Sequence, residues 1–393
     1  MAGHQILLRA GMPALYADLG ISPDLDSAHR YFERVRFVVL SLLANAPNPQ
    51  NGVAMSQHDK ITSVVDQAEL VEQLGYDAFQ IGERHGAPFL CSSPPVLLTA
   101  VAARTRRIRL LTGVTVLSIH DPVRVAEDYA LVDHLSAGRL ELVIGKGNHA
   151  PHHALFGLEP AEQWDVLAER YELLRRLWDE SEVTWSGRYR DALTAVTTQP
   201  RPFQPRIRIW HGSGTSRRTT ELAARHGDPL YSANGFFPVE RYRTLIDHYR
   251  ERWAHYGHSG EPLVGSGFPA LLIRRTSQEA LEAYRPIWNA QRTTPAARYN
   301  NSPFWELEEF IEQGSALVGS PQQVLDKVAR FTELYGQELT GISVDLLPLG
   351  WQREQLAWFA ADIAPELRRA HPSGLWRQPS AVPSAGTSAS TGG

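Results

Sequence analysis

The chain has 393 residues, of which 43% are hydrophobic and 21% charged, and a formal net charge of −4 at pH 7. This is the composition of an ordinary globular protein, so we expect no nucleic-acid or membrane binding and predict a small-molecule partner instead. The single cysteine, Cys91, excludes an intramolecular disulfide and is typical of a reducing compartment, so we predict a cytoplasmic protein.

Residues 1–34 form an N-terminal extension to which we assign no role. They contain no apolar run typical of a secretion signal, and the chain nowhere reaches the roughly 18 uninterrupted apolar residues that a membrane span needs. The main domain is predicted over residues 35–371. Residues 372–393 are rich in Ser, Gly, Pro and Ala, which predicts a disordered tail.

Short β-branched apolar runs recur along the main domain, and helical patterns follow them, which is typical of βα units around a parallel sheet. Eight strands are predicted, at 35–41, 77–82, 108–117, 140–144, 207–211, 229–233, 263–273 and 341–347. Nearly all are apolar throughout, as expected when both faces of a sheet are covered. We therefore predict the α/β class and a (β/α)8 TIM barrel.

Apolar residues at helical spacing predict the surrounding helices at 59–74, 123–135, 164–178, 219–226, 239–256, 278–290 and 321–335. Two connections are too long for plain barrel loops, namely 181–205 after strand 4 and 291–320 after strand 7. The first has the composition of a small hairpin. Long connections of this kind are often lids, so both are candidates to cover the barrel mouth.

The stretch "WHGSGTSRRTTELAARHG" predicts a strand, a glycine-rich turn and a helix. The backbone N–H groups of Gly214, Thr215 and Ser216 can therefore face an anion at a helix N-terminus. A dinucleotide fingerprint needs a third glycine and a distal acid, and this stretch has Arg217 instead. The Rossmann alternative is therefore disfavoured.

The stretch "VIGKGNHAPHH" places Lys146 between two glycines at a strand end. It lacks the spacing of a Walker loop but suits a monophosphate, because the neighbouring glycines allow close approach. A solvated loop lysine is the open alternative. The three histidines His149, His152 and His153 resemble zinc ligands, but no adjacent carboxylate completes a site, and we expect no metal. Elsewhere, His120 and His211 are interpreted as satisfied polar residues at the barrel rim.

Several stretches then occur in a characteristic order and approximate spacing: "LVEQLGYDAFQIGERH", "LLTAVAARTRRIRLLTGVTVLSIHDPVRVAEDYALVDHLSAGRLELVIGKGN", "LFGLEP", "GSGTSRRTTELAARHGD" and "LVGSPQQVLDKV". Together they resemble the bacterial luciferase-like monooxygenases, a family of (β/α)8 enzymes that use flavin or deazaflavin. The resemblance covers residues 35–347.

The resemblance implies that reduced flavin binds at the barrel mouth, with its phosphate held by a basic residue after strand 4 and by the loop after strand 5. Lys146 matches the basic position. Gly113 and Val114 match a segment that supports the flavin ring, frequently through a bulge or a non-prolyl cis peptide. The remaining residues that match cofactor-binding positions are Gly147, Asn148, Ser213, Gly214, Thr215, Ser216 and Thr219.

One departure from the family lies after strand 2, where many members read "EHH" and this chain has Glu83, Arg84 and His85. Arginine stays charged and cannot act as a general base at neutral pH. Arg84 can hold a substrate anion or a flavin peroxide, which leaves His85 as the imidazole for proton transfer there. We take both as the candidate catalytic residues and do not expect light emission.

The resemblance thus implies a monooxygenase that uses reduced FMN and O2, through a flavin C4a-peroxide, to oxygenate a small organic substrate. A separate reductase is expected to supply the reduced flavin, because no pyridine-nucleotide fingerprint is visible, and family resemblance implies a homodimer. The alternatives are a deazaflavin enzyme that transfers hydride, a non-catalytic flavin-binding subunit and, least favoured, a metal hydrolase.

Overall fold

The computed structural model describes residues 35–48, 51–148, 150–233, 235, 237–292, 302–371 and 373–376. Its strands are β1 (Arg36–Ser41), β2 (Ala78–Ile81), β3 (Arg109–Thr112), β4 (Thr115–Val116), β5 (Leu140–Gly145), β6 (Val183–Trp185), β7 (Leu193–Val196), β8 (Ile209–Ser213), β9 (Leu230–Ser232), β10 (Val264–Phe268), β11 (Leu271–Ile273), β12 (Leu317–Gly319) and β13 (Leu339–Ile342).

Helices connect these strands and cover the outside of the sheet. They are α1 (Gln57–Gln73), α2 (Pro94–Arg104), α3 (Pro122–Leu135), α4 (Ala150–Leu155), α5 (Gln163–Asp179), α6 (Arg217–His226), α7 (Val239–His255), α8 (Ser277–Arg292), α9 (Leu307–Glu312), α10 (Pro321–Tyr335), α11 (Leu349–Trp358) and α12 (Ala364–Ala370). None of these helices is long and apolar enough to cross a membrane, a finding that covers the described residues alone.

Eight parallel strands form a closed barrel in the order β3-β2-β1-β13-β10-β9-β8-β5, and the pairing of β3 with β5 closes it. The predicted (β/α)8 TIM barrel is therefore confirmed. Its interior is packed with side chains: Tyr231 is 6% exposed and its hydroxyl donates to the Gln80 Oε1 at 3.3 Å. Gly341 faces the Tyr231 hydroxyl so closely that a Cβ would collide with it. The barrel is consequently a solid core, and any ligand must bind at its ends.

Two predicted strands are broken. The strand predicted at 108–117 is interrupted at Gly113 and Val114, and β4 then resumes pairing with β5, Thr115 opposite Ile144. The strand predicted at 263–273 ends at Phe268, because Pro269 lacks the N–H that a ladder needs. Beyond it, β11 leaves the barrel and pairs with β12.

The two insertions differ in how they fold. The first contains the antiparallel hairpin of β6 and β7, as predicted. Arg190 lies in the turn between β6 and β7, and its Nε donates to the Asp121 Oδ2 at 2.8 Å. The hairpin turn therefore contacts the loop after β4. In the second insertion, the main-chain carbonyls of Ile311 and Ala316 accept from the half-buried Lys327 on α10, which ties α9 to α10. Residues 293–301 lie outside the described part of the chain.

The N-terminal end of the barrel is closed by residues that we had assigned to the disordered tail. Leu375 is 1% exposed and packs among the barrel-interior residues, and its carbonyl accepts from Arg36 Nε at 3.1 Å. Trp376 Nε1 donates to the Glu141 Oε1 at 2.5 Å. The predicted boundary at 372 is therefore too early for residues 373–376. Pro372, residues 377–393 and the predicted extension 1–34 lie outside the described residues.

Candidate active site

Loops from four neighbouring barrel strands bring the predicted site residues to the C-terminal end of the barrel. The peptide bond between Gly113 and Val114 is cis, at the position where the family resemblance predicts a bulge or a cis peptide. A Cβ on Gly113 would lie 2.6 Å from the Gln80 side chain, so only glycine fits there. The Val114 carbonyl accepts from the Glu83 N–H at 3.2 Å, which joins this break to the loop after β2. A role of the pair in supporting a flavin ring stays a prediction.

Glu83 is the centre of a buried hydrogen-bond cluster at this end. Its side chain is inaccessible to solvent, and its Oε1 is 2.8 Å from the Nε2 of His85 and 2.8 Å from the Nε2 of His120. Its Oε2 accepts from the Val116 N–H at 2.8 Å. Two imidazoles from different loops are thus held on one carboxylate oxygen.

The charge of Glu83 follows from these contacts. Burial by itself would raise the pKa of the carboxyl, but the hydrogen bonds from His120, His85 and the Val116 N–H outweigh it and lower the pKa from 4.5 to about 2. At neutral pH the group is therefore a carboxylate, which can only accept hydrogen bonds. Each imidazole must present an Nε2–H to it, which assigns the tautomer of the neutral rings and leaves Nδ1 as their acceptor.

His120 is a hydrogen-bonded polar residue, as we interpret it from the sequence, whereas His211, interpreted as a rim residue, is fully buried. His120 shares Glu83 with the predicted catalytic residue His85, whereas His211 pairs with the Asp228 Oδ2 at 3.2 Å, deep in the wall. The His85 ring also packs edge-on against Phe156, with 4.7 Å between ring centroids. The site therefore has two imidazoles on one carboxylate, even though Arg84 replaces the first histidine of the "EHH" pattern.

Arg84, the other predicted catalytic residue, links the loop after β2 to the loop after β5. Its Nη1 donates to the Asn148 Oδ1 at 2.5 Å, and its guanidinium lies 5.3 Å from the centroid of the Phe89 ring. Burial lowers the pKa of this guanidinium. Arginine nevertheless remains charged at any physiological pH.

Lys146 and the loop after β8, the two halves of the predicted phosphate site, meet at Trp164. The Lys146 Nζ lies 4.9 Å from the centroid of the indole ring, and the indole Nε1 donates to the Ser216 Oγ at 2.9 Å. Arg218 lies over the same ring, 5.7 Å from its centroid. Burial lowers the pKa of Lys146. Trp164, on α5, thus positions a lysine, an arginine and a serine around one point.

The loop itself is built to present backbone donors. Ser216 is the N-cap of α6, and its hydroxyl accepts from the Thr219 N–H at 3.3 Å, while Ser213 Oγ accepts from the Ser216 N–H at 3.2 Å. No described residue accepts a hydrogen bond from the N–H of Gly214 or Thr215. The helix N-terminus adds a partial positive charge at the same place.

The remaining residues of the β5 loop are positioned by Lys146. The Gly147 carbonyl accepts from Lys146 Nζ at 2.8 Å, and Gly147 has a φ of +79°, which favours glycine. The Lys146 carbonyl accepts from Ser118 Oγ at 2.8 Å and lies 3.2 Å from the Nε2 of His153. His153 is thus used structurally.

The zinc alternative finds no support within the described residues, where no group of three or more His, Cys, Asp or Glu side chains could hold a metal ion. His149 and the side chain of His152, which that alternative also needs, lie outside them.

Sequence reasoning missed three side chains of this site: Glu83 as the anchor of the cluster, His120 and Trp164. Glu83 and His120 are 37 positions apart, and Trp164 and Ser216 are 52 apart. A periodic pattern does not report contacts over such separations, and Trp164 lies in a segment, 164–178, from which the sequence predicts only a helix. The one available signal was a glutamate two residues before a histidine at a strand end.

Comparison with known proteins agrees with this fold. The family model for luciferase-like monooxygenases matches residues 35–338. The 4-hydroxyprotoasukamycin monooxygenase of Streptomyces nodosus subsp. asukaensis is 27% identical over 291 residues, which cover 68% of this chain and 76% of that protein. A monooxygenase structure from Streptomyces bottropensis superposes with a TM-score of 0.75 at 24% identity and covers 84% of this chain and 99% of that chain.

Two further structures have the same fold with different cofactors. The oxygenating constituent of 3,6-diketocamphane monooxygenase from Pseudomonas putida, in complex with FMN, has a TM-score of 0.68 at 17% identity, over 85% of this chain and 99% of its own. An F420-dependent secondary alcohol dehydrogenase has a TM-score of 0.69 at 14% identity, over the same shares. Because the family model extends over most of the sequence, this chain belongs to the luciferase-like monooxygenase family.

Proposed function

We propose that the protein is a flavin-dependent monooxygenase that uses reduced FMN and O2 to oxygenate a small organic substrate, with the reduced flavin supplied by a separate reductase. The observation that carries this proposal is the meeting of Lys146 and the Ser213–Ser216 loop at Trp164. Residues far apart in the sequence converge there on a place suited to a phosphate group. The named monooxygenases among the relatives support the same activity.

The residues present fit a phosphate monoester. Lys146 supplies a cation, and the N–H groups of Gly214 and Thr215 supply donors that no described residue uses. A Cβ on Gly214 would have no atom within 4 Å, so the loop is open on the side where a ligand would lie. Charge-assisted hydrogen bonds of this kind are stronger than neutral ones. We therefore assign Lys146, Gly147, Asn148, Ser213, Gly214, Thr215, Ser216 and Thr219 to binding of the cofactor, with Gly113 and Val114 beside its ring.

When bound, reduced FMN supplies the electrons that activate dioxygen. The chain's own residues would bind it, orient the substrate and move protons. His85 and His120 each hold a proton at Nε2 against Glu83, and imidazoles held in this way can serve as acid or base at the barrel mouth. The hairpin turn that reaches Asp121 would help to exclude water.

The test is an anaerobic titration of the protein with reduced FMN and, separately, with reduced deazaflavin, in wild type, Lys146→Ala and Lys146→Arg. We expect FMN to bind about 10-fold to 100-fold more weakly to Lys146→Ala, the usual effect of losing a hydrogen bond to a charged group. Lys146→Arg keeps the charge and should bind nearly as wild type does. Admitting oxygen and a reductase then tests substrate-dependent oxygen uptake.

Selective binding of deazaflavin would instead support the alternative, a hydride-transfer enzyme of the same fold, which the F420-dependent neighbour makes the natural rival. Binding of FMN without oxygen uptake would favour a non-catalytic flavin-binding subunit. If neither cofactor binds to wild type, the proposal is wrong.

We further propose a homodimer. Leu131 and Leu135 lie one turn apart on α3 and are 50% and 60% exposed, and Val96 on α2 is 68% exposed. Exposed apolar side chains on adjacent helices are typical of association surfaces. Light scattering should give twice the chain mass, and Leu131→Glu should halve it. A monomeric wild type would contradict the proposal.

A further inference from the structure

Arg84 is a guanidinium at the barrel mouth that has no carboxylate partner among the described residues. It is half-buried, and no described Asp or Glu oxygen lies within 4.0 Å of its nitrogens. The only described polar group that accepts from its side chain is the amide oxygen of Asn148. Since arginine has five N–H donors, most of them remain available to a ligand.

The adjacent carboxylate cannot serve as this partner, although Glu83 is the next residue in the chain. Both of its oxygens are occupied, Oε1 by His85 and His120 and Oε2 by the Val116 N–H. Turning Glu83 towards Arg84 would leave three donors unpaired in a buried place, which is costly. The charge of Arg84 therefore stays uncompensated by this cluster.

Three arginines at the opposite end of the barrel do have carboxylate partners. Arg36 and Arg368 both pair with Asp77, at 3.0 and 2.7 Å, and Arg208 pairs with Glu141 at 2.8 Å. At Arg84 burial lowers the pKa, and within the part of the chain that the structure describes no carboxylate is close enough to raise it again. A partly buried cation without an anion is unfavourable unless a ligand supplies the anion.

The surroundings of this guanidinium are apolar. Phe89 lies under it, and the Phe156 ring, which packs against His85, is 44% exposed. Leu155, one residue earlier, is 66% exposed. A ligand that meets Arg84 would therefore place its remaining atoms against phenyl side chains and beside the His85 imidazole.

We propose that Arg84 is the recognition residue for the substrate, and that the substrate is an organic anion, with a carboxylate or similar planar oxyanion carried on an apolar body. The planar guanidinium matches such a group in a bidentate geometry. This inference rests on the proposed function only in placing the active site at this end of the barrel.

The test is isothermal titration calorimetry with benzoate and octanoate and with their neutral counterparts, benzamide and octanamide. The proteins are full-length wild type, Arg84→Gln, Arg84→Lys and, as a matched control, Arg243→Gln, which removes a surface arginine 3.6 Å from Asp247. Wild type and Arg243→Gln should bind each carboxylate at least about tenfold more tightly than its amide. Arg84→Gln should lose this preference. Arg84→Lys should keep part of it, because lysine retains the charge but lacks the planar guanidinium that donates two hydrogen bonds to one carboxylate.

Reduced FMN is titrated into the same proteins as a separate measurement, so that failure of the cofactor assignment is seen independently. Unchanged FMN affinity in Arg84→Gln together with a lost carboxylate preference supports the inference. It is overturned if Arg84→Gln keeps the preference, if wild type shows no preference or binds neither carboxylate more tightly than about 10 mM, or if only FMN affinity falls. The last result would assign Arg84 to the cofactor.

Discussion

Replacing Glu83 with glutamine tests the buried cluster most directly, because it removes one charge and almost no volume. In the native protein one carboxylate oxygen accepts from two imidazoles and the other from the Val116 N–H. Glutamine has one oxygen and one NH2 group, so one side of the cluster would then hold two facing donors. We expect Glu83→Gln to fold, with a measurable loss of stability.

The magnitude follows from the pKa of this carboxyl, which is lowered from 4.5 to about 2. Each pKa unit corresponds to about 1.4 kcal/mol, so the ionised form contributes about 3 kcal/mol to the free energy of unfolding. Because the folded pKa is the lower one, this stabilisation is fully present above pH 4.5 and is lost as the pH falls towards 2.

Urea unfolding at a series of pH values between about 7 and 3 measures this contribution in wild type, Glu83→Gln and the control Glu333→Gln, whose side chain is exposed on α10. Above pH 5 we expect Glu83→Gln to be less stable than wild type by about 3 kcal/mol. The difference should shrink as the pH falls below the unfolded-state value. Glu333→Gln should remain within about 0.5 kcal/mol of wild type throughout.

A stability difference that is already small at pH 7, or that stays constant down to pH 3, would refute the assignment of Glu83 as a carboxylate shared by two imidazoles. In a functional assay, Glu83→Gln should also change the pH profile of oxygen uptake, because the amide no longer requires both His85 and His120 to carry a proton at Nε2.

Three further outcomes are expected. Leu375→Ala should lower the free energy of unfolding by about 2–5 kcal/mol, whereas Val53→Ala, at a position 64% exposed, should cost little, as denaturant titration will show. Trp164→Phe removes the hydrogen bond to Ser216 but keeps an aromatic ring, so it should weaken FMN binding less than Trp164→Ala does; equal effects would contradict the bridging role. Burial raises the pKa of Cys91 to about 12, so iodoacetamide at pH 8 should label the folded protein far more slowly than the urea-unfolded one, and equal rates would show that this thiol is not buried.

Local patterns were sufficient to predict the barrel and the glycine-rich turn after β8. Short apolar runs between helical patterns indicate strands covered on both faces, and the strand, glycine-rich turn and helix around Gly214 are continuous in sequence. The helix ends were predictable for the same reason. Ser320, for example, caps α10 through Gln323, only three residues away. Helix α2 was missed because its apolar residues do not lie on one face: Leu98 is buried while Val96 is 68% exposed.

The sequence by itself therefore determined the fold class, most helices and strands, and the positions of Lys146 and the loop after β8, since each depends on neighbouring residues. Only the tertiary structure decided which distant side chains meet. Closure of the barrel places the loops after β2 and β4 side by side, and this brings His120 to the Glu83 that His85 also uses. In the same way, the course of the chain after α12 decides that Leu375 is buried beneath the barrel. Contacts of this kind depend on how whole elements pack, and no local pattern of residues encodes that packing.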